Sequence, residues 1–269
     1  MEKLKIYKYN YSSFQSIFDL SGNNVPFIAG PCSIENENQL ERVAVTLNKN
    51  NVKFIRGGAY KPRTSPYDFQ GLGIEGLKLI REVADRHSLY VVSEILDTRD
   101  VENGVRYTDM IQIGCRNMQN YSLLKEVGRT RHPILLKRGM MSSIQEFLYA
   151  AEYIASNGNC NIVMCERGIR TFETYTRNNL DITCIAVIKN QTTLPIVVDV
   201  SHATGRKDII FPLVRYLYAM DIDGIMLEIH PNPTKSYSDG QQALDLDEFE
   251  SLLHSLSPHG EMRTSLKSL

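Results

Sequence analysis

PILLKRGMMSSIQEFLYAAEYIASNGNCNIVMCERG, residues 133–168, contains a strand, a helix and a second strand in succession. The apolar run Pro133 to Leu136 is continuous and does not alternate, as expected of a strand buried on both faces. It stops at Lys137 and Arg138. From Ile144 the period changes: Ile144, Phe147, Leu148, Ala151 and Ile154 share one helical face, with Glu146 and Glu152 on the other. A second buried-strand run, Asn161 to Met164, then stops at Glu166 and Arg167.

The same alternation extends along the chain in both directions. Further strand-like runs lie at Val25 to Ala29, Val52 to Ile55, Leu89 to Ile95, Met110 to Ile113, Pro195 to Val198 and Gly224 to Ile229. Between them lie amphipathic stretches such as Leu77, Ile80, Val83 and Ala84 on one face. Eight strands interleaved with helices allow a closed (β/α)₈ barrel or an open doubly wound sheet, and the count favours the barrel. The expected fold class is α/β, a single-domain TIM barrel over residues 25–269. Residues 1–24 are expected to form a short strand or hairpin extension across the barrel bottom.

Composition narrows the function classes. The 269 residues carry 30 Lys plus Arg against 31 Asp plus Glu, a formal net charge of −1, with no basic stripe or tail. Nucleic acid is therefore not an expected partner. The apolar runs are too short to span a membrane, and the Lys-rich start has no hydrophobic segment behind it. We expect a cytoplasmic protein. Five cysteines, with no CxxC pair, form neither a disulfide framework nor a zinc ribbon. Cys160, Cys165 and Cys184 sit in apolar contexts and read as small core side chains.

Barrels place their chemistry at the carboxyl ends of their strands, where the residues that follow each run fall. In chain order they are Cys32; Arg56, Lys61 and Arg63; Glu94; Arg116; Lys137 and Arg138; Glu166 and Arg167; Asp199 and His202; and Glu228 and His230, with Asp239 in the loop beyond. Every strand ends in a charged or metal-capable residue. One such arginine alone would ordinarily be a surface ion pair; the common placement points to one shared site. Arg56, Lys61, Arg116, Lys137 and Arg167, with Arg63 nearby, suit a small polyanionic substrate. Cys32, His202, Glu228 and Asp239 form a mixed soft and hard donor set suited to a divalent transition metal. His230 is the competing imidazole.

These residues also carry a family resemblance. AGPCS (29–33), RGGAYKPRTSPYDFQG (56–71), QIGCRNMQN (112–120), LLKRGM (135–140), CERGIRTFET (165–174), SHATG (201–205) and EIHPNPTKSYSDGQQAL (228–244) closely resemble 3-deoxy-D-arabino-heptulosonate 7-phosphate (DAHP) synthases. The match is to the type I beta subgroup, related to KDO8P synthase. The resemblance implies a TIM barrel that condenses phosphoenolpyruvate with erythrose 4-phosphate, the first step of the shikimate pathway. It implies one divalent ion, Mn²⁺, Zn²⁺, Fe²⁺ or Co²⁺, on Cys32, His202, Glu228 and Asp239. Phosphoenolpyruvate falls to Arg56, Lys61, Arg116, Lys137 and Arg167. Erythrose 4-phosphate falls to Lys61, Pro62, Arg63, Thr64 and Ser65, with Lys61 as proton donor and Glu94 placing a water or a lysine. A homodimer or homotetramer is also implied.

The chain departs from the family pattern at Val200, where proline is frequent, and at Cys115, where alanine is usual; neither position carries an assigned role. Residues 1–24 are too few for the regulatory domain that many members carry, so feedback control through a fused domain is not expected. Two alternatives stand beside this reading. One is a KDO8P synthase acting on arabinose 5-phosphate, against which the KPRTS segment speaks because that family has a KANRS-like loop there. The other is a silent barrel that only binds phosphorylated ligands. A Schiff base on Lys137 would leave the metal set and the arginines unexplained.

Overall fold

The computed structural model describes Ile6 and residues 25–256. Eight strands, β1 (Phe27–Gly30), β2 (Phe54–Arg56), β3 (Tyr90–Ile95), β4 (Met110–Ile113), β5 (Ile134–Lys137), β6 (Ile162–Glu166), β7 (Ile196–Asp199) and β8 (Gly224–Glu228), pair in chain order. All pairings are parallel, and β8 closes onto β1 through Phe27↔Ile225 to Gly30↔Glu228. The closed (β/α)₈ barrel is thus the observed fold. The extension expected over residues 1–24 lies outside the described residues except for Ile6, which is buried and donates its N–H to Glu152 Oε2 at 3.1 Å.

Helices α1 (Glu37–Lys49), α2 (Ile74–His87), α3 (Val101–Tyr107), α4 (Tyr121–Gly128), α5 (Ile144–Ser156), α6 (Ile182–Gln191), α7 (Val200–Thr204), α8 (Ile210–Tyr218) and α9 (Leu246–Leu256) complete the units. Their starts are chemically marked. Asn36 caps α1, Asn120 caps α4, and Ser143 with Glu146 makes a reciprocal capping box on α5. The buried face of α2 is Gly76, Leu77, Ile80, Val83 and Ala84, which lies against the outward side chains of the strands.

Side chains alternate across each strand, so the wall separates two cores. Outside, Ile55, Val91, Ile111, Ile134, Leu136, Ile196 and Leu227 pack against the helices. Inside, Ile28, Phe54, Val92, Met110, Leu135, Val163, Cys165, Val197 and Met226 form a separate cluster. Two residues beyond this inner plug, on the same side of the wall, come Arg56, Glu94, Gln112, Lys137, Asp199 and Glu228. An apolar floor therefore lies directly beneath the polar end of the barrel.

Two sequence expectations change here. Most apolar runs end one or two residues before the strand does: β2, β5, β6 and β7 continue through Arg56, Lys137, Glu166 and Asp199. The hydropathy signal stops at a charge, whereas the backbone ladder continues past it. In addition, Arg138 and Glu166 do not belong to the shared site. They face outward, and Arg138 NH1 donates to Glu166 Oε2 at 3.0 Å and to Asp181 Oδ2 at 2.7 Å in the helix layer.

Candidate active site

The carboxyl-end cavity is lined by seven Lys or Arg residues, Arg56, Lys61, Arg63, Arg116, Lys137, Arg167 and Arg177, against the acids Asp68, Glu94 and Asp239. That excess makes it a receptor for a polyanion. Arg56 is buried, with NH1 on the Pro31 carbonyl at 2.7 Å and on Glu228 Oε1 at 3.0 Å. Its Nε is buried without a hydrogen-bond partner, an orphan donor that a ligand oxygen would satisfy. Arg167 donates to the His202 carbonyl at 3.2 Å, and Lys137 is held on Asp199 Oδ2. The Arg116 guanidinium lines the cavity without a partner among the described residues.

Cys32, His202, Glu228 and Asp239 converge, with one donor atom from each lying within 4.8 Å of the others. Metal bonds of about 2.0–2.3 Å place ligand atoms roughly 3–4.6 Å apart, so the set fits one transition ion with little adjustment. Each residue is delivered by local chemistry. Cys32 follows β1 at Gly30, whose missing side chain matters because a Cβ there would fall 1.9 Å from the Arg56 carbonyl oxygen. Asp199 caps α7 by accepting the His202 N–H at 3.0 Å, and it accepts His202 Nδ1 at 2.8 Å. That bond leaves Nε2 with its lone pair, 3.2 Å from Glu228 Oε1. Glu228 is held further by Gln242 Nε2 at 2.6 Å. Asp239 adopts a left-handed φ of 50°, which a short carboxylate residue tolerates. The hydroxyls of Ser33 and Ser238, each adjacent in sequence to a donor, meet at 2.7 Å and tie the two loops together.

Electrostatics suit the same purpose. Burial, reinforced by the Glu228 carboxylate, pushes the Cys32 thiol up to about 12, so without a cation it is an S–H that donates to Asp239 Oδ2 at 3.4 Å. Its sulfur accepts from Lys61 Nζ at 3.0 Å, and Lys61 also donates to the Cys32 carbonyl at 3.1 Å. Burial lowers the His202 imidazole below its usual range and keeps it neutral. Burial opposes ionisation of Asp199, yet His202 and Lys137 hold its carboxyl well below the ordinary range. A neutral imidazole, ionised carboxylates and a thiol that ionises on binding are what a divalent cation requires.

Pro62, Arg63 and Thr64 line the cavity mouth, with Arg63 Nε donating to Asp68 Oδ2 at 3.3 Å. Ser65 stands apart from the wall; its hydroxyl accepts the Tyr67 N–H at 3.3 Å. Glu94 lies in the cavity and accepts from Gln112 Nε2 at 3.0 Å. A Cβ at Gly114 would lie 2.0 Å from Glu94 Oε1, so a side chain there would displace that carboxylate from its present place. His230 is outside the donor set: Nδ1 accepts the Asn232 N–H at 2.9 Å, and Nε2 lies 3.4 Å from Glu35. Cys115 lines the cavity, while Cys165 and Cys184 are buried. Sequence reading did not assign a role to Asp199, although its spacing three residues before His202 is a cap pattern that could have signalled it. It also missed Gln242, and Arg177, which reaches Asp239 Oδ1 at 3.3 Å from mid-loop with no local signal.

Comparison with known proteins agrees with this geometry. A family model described as the DAHP synthetase I family matches residues 9–264. A phospho-2-dehydro-3-deoxyheptonate aldolase of Thermotoga maritima is 52% identical over 229 residues, covering 85% of this chain and 68% of that protein. The crystal structure of a DAHP synthase from the same organism superposes with a TM-score of 0.84 at 50% identity, over 87% of this chain and 68% of that one. A 2-dehydro-3-deoxyphosphooctonate aldolase of Geobacter sulfurreducens is 30% identical over 85% of this chain and 90% of its own. With a family model across nearly all of its length and a half-identical relative, the chain belongs to the DAHP synthetase I family.

Proposed function

We infer that the chain is a DAHP synthase, which condenses phosphoenolpyruvate with erythrose 4-phosphate and water to give DAHP and phosphate at the head of the shikimate pathway. The observation that carries this reading is the union, in one cavity, of a four-donor metal set and an excess of cations that includes an orphan Arg56 Nε. In the reaction C3 of phosphoenolpyruvate bonds to the aldehyde carbon, water adds at C2, and the C2–oxygen bond to phosphate breaks.

Arg56, Arg116, Lys137 and Arg167 neutralise the carboxylate and phosphoryl charges and orient the enol. When bound, the divalent ion, Mn²⁺, Zn²⁺, Fe²⁺ or Co²⁺ on Cys32, His202, Glu228 and Asp239, supplies Lewis-acid polarisation of the aldehyde oxygen. Lys61, held beside Cys32 Sγ, donates the proton that the aldehyde oxygen takes up as it becomes a hydroxyl. Pro62, Arg63 and Thr64 frame the sugar phosphate, while Ser65 shapes the turn behind them through the Tyr67 N–H. Arg63 exchanges Asp68 for the phosphate oxygens. Glu94, fixed by Gln112, orients the water that adds at C2. On this reading the enzyme works in the cytoplasm as a homodimer or homotetramer, a state that sedimentation of the purified chain reads out. Among the described residues no helix is long and apolar enough to cross a membrane.

The test is phosphate release from phosphoenolpyruvate with erythrose 4-phosphate or arabinose 5-phosphate, with chelator and with Mn²⁺ restored. Turnover is expected with the four-carbon sugar only, lost on chelation and regained with metal. Preference for the pentose phosphate would make the chain a KDO8P synthase, and release with neither sugar would make it a silent barrel.

A further inference from the structure

Lys137 and Arg167 enter the cavity from the inner side of the wall, and their neighbours in sequence, Arg138 and Glu166, leave on the outer side. There they meet Asp181, the residue that caps α6. Arg138 NH1 bridges Glu166 Oε2 at 3.0 Å and Asp181 Oδ2 at 2.7 Å, while its Nε and NH2 donate to the Ser142 carbonyl at 3.2 and 3.0 Å. The other Glu166 oxygen accepts the Gly168 N–H at 2.6 Å. Arg138 and Glu166 are buried, with side chains 3% and 0% exposed.

A buried ion cluster is a poor device for stability, because desolvation consumes most of the attraction and a packed apolar replacement does as well. What this cluster has instead is position. It closes the loop 138–142 that carries Met140 to the cavity wall, and it fixes the peptide that follows Arg167. It also anchors the far end of loop 168–181, which brings Arg177 to Asp239. The two loops are joined by Arg170 N–H on the Met140 carbonyl at 2.7 Å, and the Ile169↔Asn179 bridge pins the second loop onto itself.

We propose that the Arg138–Glu166–Asp181 triad is a positioning device for phosphoenolpyruvate: it sets, from the dry side of the barrel wall, the placement of Lys137 and Arg167 on the wet side. The proposal rests on the reading of the cavity as the phosphoenolpyruvate site. Lys137 ends β5 and Arg167 directly follows β6, so both side chains inherit any shift of that backbone, and a misplacement near 1 Å can cost about 100-fold. Lysine at position 138 keeps the charge but cannot hold Ser142, Glu166 and Asp181 together, since it lacks the planar fork. Glutamine at position 166 keeps the shape and removes the charge.

The experiment uses the Mn²⁺-loaded full chain and compares Arg138→Lys, Glu166→Gln and, as a reference, Lys137→Met. Phosphoenolpyruvate affinity, both KM values, kcat and Mn²⁺ affinity are measured, and far-UV circular dichroism and thermal melting report folding. The expected result is a rise of about 10-fold or more in Kd and KM for phosphoenolpyruvate in Arg138→Lys and Glu166→Gln. Mn²⁺ affinity and KM for the sugar phosphate should change far less, because the triad reaches the metal donors only through the Arg177 contact to Asp239. Loss of phosphoenolpyruvate affinity in Lys137→Met but not in the two triad variants would overturn the proposal and leave the site reading intact. Unchanged affinity in Lys137→Met would overturn the site reading and the proposal with it. A parallel decline of melting temperature, Mn²⁺ affinity and both KM values would make the triad a structural brace and also overturn the proposal. Glu166→Gln, which is nearly isosteric, keeps the test available should Arg138→Lys not fold.

Discussion

Ile28, Phe54, Val92, Met110, Leu135, Val163, Val197 and Met226 fill the lower part of the barrel interior. Two residues farther along the same strands stand Gly30, Arg56, Glu94, Gln112, Lys137, Asp199 and Glu228. Both levels lie inside the wall, the upper one buried except for half-buried Glu94, and both are reached by the same backbone. The lower one gains free energy by leaving water, at roughly 25 cal/mol per Å² of apolar surface. The upper one loses hydration, and it is tolerated because its charges pair across the interior, as in Arg56 with Glu228 and Lys137 with Asp199. Function requires that those pairings stay incomplete, so that a cation and a polyanion can finish them.

Removing a charge from the upper level should therefore hurt more than removing carbon from the lower one, and ligands should repair only the former. Arg56→Leu strands Glu228 and is expected to destabilise the metal-free protein by about 3–5 kcal/mol. Activity should fall by about 10²–10³-fold. Urea unfolding with chelator and with Mn²⁺ checks this, because the cation should recover part of the loss; an identical loss in both conditions would erase the contrast between the levels. In the floor, Leu135→Ala should cost about 2–5 kcal/mol through the cavity it leaves. Unfolding should read this loss equally with and without metal, while kcat at 25 °C is kept.

Asp199→Asn probes the coupling within the upper level. Its carboxylate fixes the His202 tautomer, so Mn²⁺ affinity should drop about 10- to 100-fold with the fold preserved. Calorimetric titration measures it, and unaltered affinity would detach Asp199 from the metal set. The smallest effect is expected at the opposite end of the barrel. His132, between α4 and β5, is depressed by burial, so its folded pKa lies below the unfolded value near 6.5. It binds its proton more readily when unfolded; it contributes stability above that pH, and the contribution is lost as pH falls through the folded pKa. His132→Asn should flatten the fall in melting temperature between pH 7 and 5 without touching activity. An unchanged slope would remove His132 from the acid response.

Much of this was legible in the sequence because a parallel barrel writes strands as continuous apolar runs and puts its chemistry where the runs stop. Cys32, Lys61, Arg116, His202 and Asp239 could be picked out for that reason. The same continuity hid which way each terminal charge points. A strand buried on both faces shows no alternation, so Lys137 and Arg138, or Glu166 and Arg167, read as equivalent neighbours although they lie on opposite sides of the wall. Arg177 was illegible for a different cause: it reaches Asp239 from the middle of a loop, where neither period nor cap marks it.

The central claim is that the upper level of the barrel interior is a metal and phosphoenolpyruvate site built on Cys32 and His202. Calorimetric titration of Mn²⁺ into chelated wild type, Cys32→Ala and His202→Ala addresses it most directly. The expected result is one ion per chain in the wild type and loss of tight binding in both variants, each with wild-type circular dichroism. Stoichiometric tight binding retained in both variants would contradict it.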